Sequence, residues 1–211
     1  MTERSVVFVV DDDPSMRAAL EDLVASVGLE ARVFASAQEF LQAKRPDAAG
    51  CVVLDVRLPG SSGLKVQQEL VNVGNDLPVV FITGHGDIPM SVRAIKAGAV
   101  EFLTKPFRDQ ELLDAVNAGI ERDRAQRREA ARVAELRQRF DALTQREREI
   151  MPLVILGRMN KQIGAELGVS EATVKVHRGQ IMRKMRASSL PELLRMGDVL
   201  GLSAPARPPA R

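Results

Sequence analysis

Cys51-Val52-Val53-Leu54-Asp55 runs directly into Val56-Arg57-Leu58-Pro59-Gly60-Ser61-Ser62-Gly63. A run of apolar, mostly β-branched residues ends in one aspartate, and a Pro/Gly/Ser turn follows. The run lacks the alternation of a half-solvated strand. It reads as a fully buried strand that delivers a carboxylate to the carboxyl edge of a parallel sheet. Open α/β sheets carry their chemistry at that edge.

The surrounding sequence repeats the pattern. Val6-Val7-Phe8-Val9-Val10 is a second buried-strand run, ending in Asp11-Asp12-Asp13-Pro14. Pro14 suits the first turn of a helix, and aspartates suit its positive end. Met16, Leu20, Leu23, Val24 and Val27 recur at helical spacing until Gly28. Ala31–Phe34 reads as a short strand, and Ser36 as the cap of a helix holding Phe40 and Leu41. Beyond Asp55 come a helix from about Gly63 through Leu70 and a strand Pro78–Thr83. A helix with Val92 and Ile95 follows, then a short strand Val100–Thr104 running into Lys105-Pro106, and a helix with Leu112, Leu113, Val116 and Ile120. Five strand–helix alternations predict a doubly wound parallel sheet of the flavodoxin-like kind over residues 5–121.

Charge divides the chain. Residues 1–121 carry 11 Lys/Arg against 18 Asp/Glu, a net of −7, and residues 122–211 carry 19 against 10, a net of +9. An acidic half joined to a basic half predicts two domains, with the basic one suited to a polyanion. Cys51, the single cysteine, cannot form an internal disulfide and reads as a small core residue in a reducing compartment. With no signal peptide and no run long enough to span a membrane, a soluble cytoplasmic protein without membrane partners is expected.

The predicted strand ends gather acids (Asp11, Asp12, Asp55), a hydroxyl (Thr83) and a cation (Lys105). One Asp after a strand is more simply a turn or cap residue. Five such groups at matching ends are harder to explain that way. Carboxylates clustered together are costly unless a hard cation such as Mg²⁺ sits among them. One of them can then act as a nucleophile toward phosphorus.

On these residues, segment 5–121 resembles the receiver domain of bacterial two-component response regulators. The resemblance implies that Asp55 is the phosphoacceptor. It also implies that Asp12, Asp55 and the backbone carbonyl of Arg57 bind Mg²⁺ directly, with Asp11 acting largely through water. Lys105 would pair with the phosphoryl group, with a cis bond to Pro106, and Thr83 would hydrogen-bond a phosphoryl oxygen. Phe102 stands at the family's aromatic switch position, with ordinary core packing as the equal alternative. A phosphorylation-dependent dimer would use Val92, Ile95 and Lys96, with Glu101 as a partner for Lys96. Gly84-His85-Gly86-Asp87-Ile88-Pro89-Met90 resembles the corresponding loop of FixJ-type regulators, and His85 is given no catalytic role.

Residues 122–138, dominated by Arg, Ala, Glu and Gln without Pro or Gly, read as a helical linker continuing the receiver's last helix. Val133, Leu136, Phe140 and Leu143 form a short apolar stripe that could pack on a domain or on a second subunit. Thr144 with Glu147 makes a capping box. Gly157 ends that helix, and Pro152 inside it predicts a kink or an earlier end, at a cost of ~3 kcal/mol in a regular helix. Asn160 is expected to cap a helix Lys161–Leu167, and Ser170 one over Glu171–Met185. The tight glycine-containing turn between them makes a helix-turn-helix. A last helix runs from about Leu190 to Leu200, and 205–211 reads as a disordered tail.

Asn160-Lys161-Gln162-Ile163-Gly164 and Thr173-Val174-Lys175-Val176-His177-Arg178 resemble the four-helix DNA-binding domain of the LuxR/FixJ family, over about residues 139–204. The resemblance puts Lys175, Val176 and Gly179 at base-facing positions in the major groove and Lys161, Thr173 and Lys184 on phosphates. Gly179 has no side chain where relatives often have one. His177 reads as a helix-packing residue.

The expectation is a FixJ-type response regulator. It takes phosphate on Asp55 from a sensor histidine kinase, dimerises, and binds paired promoter half-sites in double-stranded DNA, with RNA polymerase as a further partner. It would be a switch with at most autophosphatase activity. One rival is a phosphatase-like enzyme, for which no substrate pocket is legible. Another is a constitutive DNA-binding protein whose receiver only binds other proteins, which the intact set of five groups argues against.

Overall fold

The computed structural model describes residues 4–72, 76–84 and 88–202. His85, Gly86 and Asp87 of the FixJ-like loop and the expected tail 205–211 lie outside the described residues. The chain divides into two compact units, Met1–Arg127 and Arg128–Arg211.

The first unit is a five-stranded parallel sheet with helices on both faces. Its strands are β1 (Ser5–Val10), β2 (Glu30–Phe34), β3 (Ala49–Asp55), β6 (Val79–Thr83) and β7 (Glu101–Thr104), in the order β2-β1-β3-β6-β7. Between them run α1 (Pro14–Ser26), α2 (Ala37–Gln42), α3 (Gly63–Asn72) and α4 (Ile88–Lys96), and α5 (Asp109–Asp141) follows. This is the doubly wound order, and its direction reverses between β1 and β3.

Every residue of β1 and β3 is buried, because both sheet faces are covered. Alternate side chains serve opposite layers. Phe8, Val52, Leu54 and Phe81 pack with Phe40, Val66 and Leu70 of α2 and α3. Val7, Val9, Cys51, Val53 and Ile82 pack with Leu20 and Val24 of α1 and with Leu112, Val116 and Ile120 of α5. Burial, with the Asp123 carboxylate nearby, pushes the Cys51 thiol up to about 12, which keeps it a protonated core residue.

The Pro/Gly/Ser turn after Asp55 is more ordered than its composition suggests. β4 (Arg57–Leu58) and β5 (Ser61–Ser62) pair antiparallel around Pro59-Gly60, with Gly60 at φ 76°. Gly63 then opens α3 so close to the sheet that a Cβ would lie 2.5 Å from the Asp55 carbonyl oxygen.

In the second unit, α6 (Gln145–Ile155), α7 (Asn160–Leu167), α8 (Glu171–Met185) and α9 (Leu190–Val199) enclose Ile150, Met151, Val154, Ile163, Val174, Ile181, Met185 and Leu193. Leu136, Phe140 and Leu143 join this core, so the apolar stripe packs on its own chain. Residues 122–138 lie within α5.

Of the two outcomes expected at Pro152, a kink or an earlier end, the earlier end does not occur: helix α6 continues to Ile155, with the Leu156 N–H bonded to the Pro152 carbonyl at 2.9 Å. Burial of Ile150, Met151 and Val154 along the helix outweighs the one backbone bond a proline removes. Asn160 is not the cap of α7 but its first residue. Met159 holds the cap position, where its N–H donates to Gln162 Oε1 at 2.9 Å. The Asn160 side chain is engaged elsewhere, accepting from Arg178 Nη1 at 3.1 Å and tying α7 to α8.

Candidate functional site

Strand register alone assembles the acidic site. Val10 pairs with Leu54 across β1 and β3, Asp55 with Ile82 across β3 and β6, and Thr83 with Thr104 across β6 and β7. One step beyond these pairs lie Asp11 and Lys105, so Asp11, Asp55, Thr83 and Lys105 line one carboxyl edge. The Lys105 N–H donates to the Thr83 carbonyl at 2.7 Å, fixing the outgoing chain. The Lys105–Pro106 bond is cis.

Side chains complete the cluster. Lys105 Nζ donates to Asp11 Oδ2 at 2.7 Å and to Asp55 Oδ2 at 2.8 Å. Asp55 Oδ1 accepts the Arg57 N–H at 2.9 Å, and Asp11 Oδ1 accepts the Asp13 N–H at 2.9 Å. Asp11, Asp55 and Thr83 are buried, while Asp12 is exposed. Burial raises the Asp11 carboxyl above the ordinary aspartate value, and the bonds from Lys105 and Asp13 only partly offset it. Burial pulls Lys105 down, but its bonds to Asp11 and Asp55 lift it above the ordinary lysine value.

The donor set suits a hard divalent cation. Asp11, Asp12 and Asp55 each offer a carboxylate oxygen within 4.8 Å of the others. Three carboxylates against one ammonium leave two negative charges, and all donors are oxygens, as Mg²⁺ requires.

The other receiver positions fall as follows. Phe102 is half-buried, its ring centroid 6.2 Å from that of Phe81. On α4, Val92, Ile95 and Lys96 are exposed, as is Ile88 at 80%. Within the chain Glu101 does not pair with Lys96. Its carboxylate accepts the Phe102 N–H at 2.9 Å.

In the second unit α8 presents Thr173, Lys175, Val176 and Gly179 to solvent, and Lys161 is exposed at the start of α7. Val176 is 63% exposed, and a Cβ on Gly179 would meet nothing within 4 Å. Thr173 is held in the first turn by Ser170, whose hydroxyl lies 2.8 Å from the Thr173 hydroxyl and accepts the Thr173 N–H at 3.0 Å. His177 is half-buried.

Lys184, expected on a phosphate, is engaged within the chain. Its Nζ donates to Glu147 Oε2 at 2.6 Å, and it stands half-buried against α6. The sequence identifies Glu147 as a cap residue but gives no sign of a pairing 37 residues away. Asp123 was missed for the same reason. It is buried and accepts the Gly50 N–H at 2.8 Å and Arg127 Nε at 2.9 Å.

Comparison with known proteins agrees with this geometry. Residues 7–117 match the response regulator receiver domain, and residues 141–197 match the luxR family of bacterial regulatory proteins. Nodulation protein W of Bradyrhizobium diazoefficiens is 58% identical over 201 residues, covering 95% of this chain and 88% of that protein. Transcriptional regulatory protein FixJ of Azorhizobium caulinodans is 44% identical over 206 residues, covering 98% and 97%. Among solved structures, the response regulator StyR aligns with a TM-score of 0.80 at 48% identity, over 92% of this chain and 98% of that one. Full-length FixJ from B. japonicum aligns at 0.57 and 37%, over 96% and 100%.

Proposed function

The chain belongs to the two-component response regulators with a luxR-family output domain, and from that membership and the edge geometry we propose how its own residues run the switch. As a member it is a phosphorylation-dependent DNA-binding transcriptional regulator whose receiver takes its signal from a sensor kinase, not a metabolic enzyme. No helix among the described residues is long and apolar enough to cross a membrane.

Asp55 is the phosphoacceptor. A carboxylate oxygen of Asp55 forms a bond to the phosphorus of a kinase phosphohistidine, the P–N bond breaks, and the imidazole nitrogen keeps the electron pair. Asp11, Asp12, Asp55 and the Arg57 carbonyl would hold Mg²⁺, which when bound screens the charge of the phosphoryl oxygens. The single observation carrying this reading is the pair of Lys105 bonds to Asp11 and Asp55. They support it because an ammonium already bonded to Asp55 Oδ2 is within reach of a phosphoryl group carried by that carboxylate.

Phosphorylation adds about −1.5 to −2 charge at Asp55. Lys105 then shifts to the phosphoryl group, and the Thr83 hydroxyl donates to one of its oxygens. Phe102 lies behind Thr104 on β7 and beside α4, so a rearranged edge acts on the face holding Val92, Ile95, Lys96 and Glu101. That face forms the dimer, with Glu101 of one copy available to Lys96 of the other. A dimer presents two copies of α8 to paired half-sites. Lys175, Val176 and Gly179 face the bases, Lys161 and Thr173 face phosphates, and RNA polymerase is a further partner at the promoter. The receiver also contributes to hydrolysis of its own acyl phosphate.

Mass spectrometry after incubation with a small-molecule phosphodonor and Mg²⁺ tests the acceptor. One added phosphoryl group on the peptide containing Asp55, absent from Asp55→Asn, is expected. Undiminished incorporation in Asp55→Asn would place the acceptor elsewhere.

A further inference from the structure

The ion pair between Glu147 and Lys184 has no part in the switch as described, yet it joins α6 to α8. Glu147 is the third residue of α6, and its side chain is only 4% exposed. It accepts the Thr144 N–H at 2.8 Å and the Lys184 ammonium at 2.6 Å. Burial acts to raise this carboxyl, but the bonds from Lys184 and Thr144 outweigh it and hold the group below the ordinary glutamate value. It is therefore ionised at neutral pH.

The placement of both charges matters. Glu147 sits in the first turn of α6, where the helix dipole favours an anion, and Lys184 in the last turn of α8, where it favours a cation. The same end of α8 is gripped from α5, where Arg139 Nη1 donates to the Met185 carbonyl at 3.2 Å. Lys175 lies nine residues before Lys184, about 180° around a helix of 3.6 residues per turn. It is exposed and makes no ion pair among the described residues. Lys184 commits its charge to the Glu147 carboxylate at 2.6 Å, so a DNA phosphate would meet an ammonium that is already balanced, and separating the pair would leave a buried carboxylate uncompensated.

We propose that Lys184 is a positioning residue: held by Glu147, it sets α8 against α6 so that Lys175, Val176 and Gly179 reach the major groove together, and it neutralises no phosphate. This rests on reading the second unit as DNA-binding. It assigns opposite work to two lysines of one helix.

The salt dependence of binding separates the two roles. Each neutralised phosphate contributes about 0.9 to the slope of log affinity against log salt concentration. The full-length protein, its Lys184→Met, Lys184→Arg and Glu147→Gln variants and the Glu147→Gln/Lys184→Met double variant would be titrated at several salt concentrations. The targets are a duplex selected by the wild-type protein from random sequence and an unselected duplex. Lys184→Met and Glu147→Gln should each lower the ratio of selected to unselected affinity, on the order of tenfold, with the slope unchanged. The double variant should fall no further, and Lys184→Arg should recover the ratio. Glu147→Gln keeps an acceptor for the Thr144 N–H, so it carries the test where circular dichroism shows Lys184→Met unfolded. A slope smaller by about 0.9 in Lys184→Met, with Glu147→Gln like wild type, would overturn the proposal in favour of a phosphate contact. Variants matching wild type in both ratio and slope would overturn it too. Wild-type protein selecting no duplex at all would instead remove the DNA-binding reading on which it rests.

Discussion

Two buried carboxylates in this chain are shifted in opposite directions, and the difference separates a site from a scaffold. Asp11 is raised because burial outweighs the help from Lys105 and Asp13. A native carboxyl with a raised value holds more protons than the unfolded chain in the window above the ordinary aspartate value, so stability falls as pH rises through that window. Asp11→Asn should therefore melt higher than wild type near neutral pH without Mg²⁺, and the gap should narrow as pH falls toward the ordinary aspartate value. Adding Mg²⁺ should raise the wild-type melting temperature and leave Asp11→Asn nearly unmoved. An equal Mg²⁺ response in both proteins would contradict the assigned donor set. Glu147 is lowered, so its contribution is present above the ordinary glutamate value and is lost as pH falls through its depressed value. The second unit should lose thermal stability in that acid range, and Glu147→Gln should flatten the loss, as read by circular dichroism melts across acid pH.

At the scale of elements, close backbone approach decides more than side-chain chemistry does. In α7, a Cβ on Gly164 would lie 2.7 Å from the Val169 carbonyl oxygen, in the turn leading to α8. The same oxygen cannot retreat without moving Val169, whose N–H is bonded to the Gly164 carbonyl at 2.9 Å. Gly164→Ala should cost on the order of 1–3 kcal/mol by denaturant unfolding and weaken DNA binding with it. Gly179→Ala, with open space around its Cβ, should leave stability within about 1 kcal/mol. The elements themselves were legible because hydrophobic runs, caps and glycines report local preferences. β3 was read from five residues, and the edge cluster followed because parallel register needs no information beyond the strands. What the sequence hid was pairing across distance. The Lys184 bond to Glu147 and the Asp123 bond to Gly50 join residues whose separation is set by tertiary packing, and neither leaves a periodic trace. At Pro152 the local penalty does not end the helix, since burial along the same helix outweighs it.

For the whole molecule, the division of charge matches the division of labour. The acidic unit is the receiver domain, and the basic unit is the luxR-family domain. Leu112, Val116 and Ile120 of α5 belong to the first unit's core, and Leu136 and Phe140 of α5 to the second unit's. The central claim is that phosphate on Asp55 controls dimerisation and, through it, DNA binding. The most direct test measures oligomeric state and affinity for a selected duplex, at one stated salt concentration. Wild type and Asp55→Asn are compared, each with and without a small-molecule phosphodonor plus Mg²⁺. The account predicts that donor produces a dimer and tighter selective binding in wild type alone. Equal binding by both proteins, with or without donor, would contradict it.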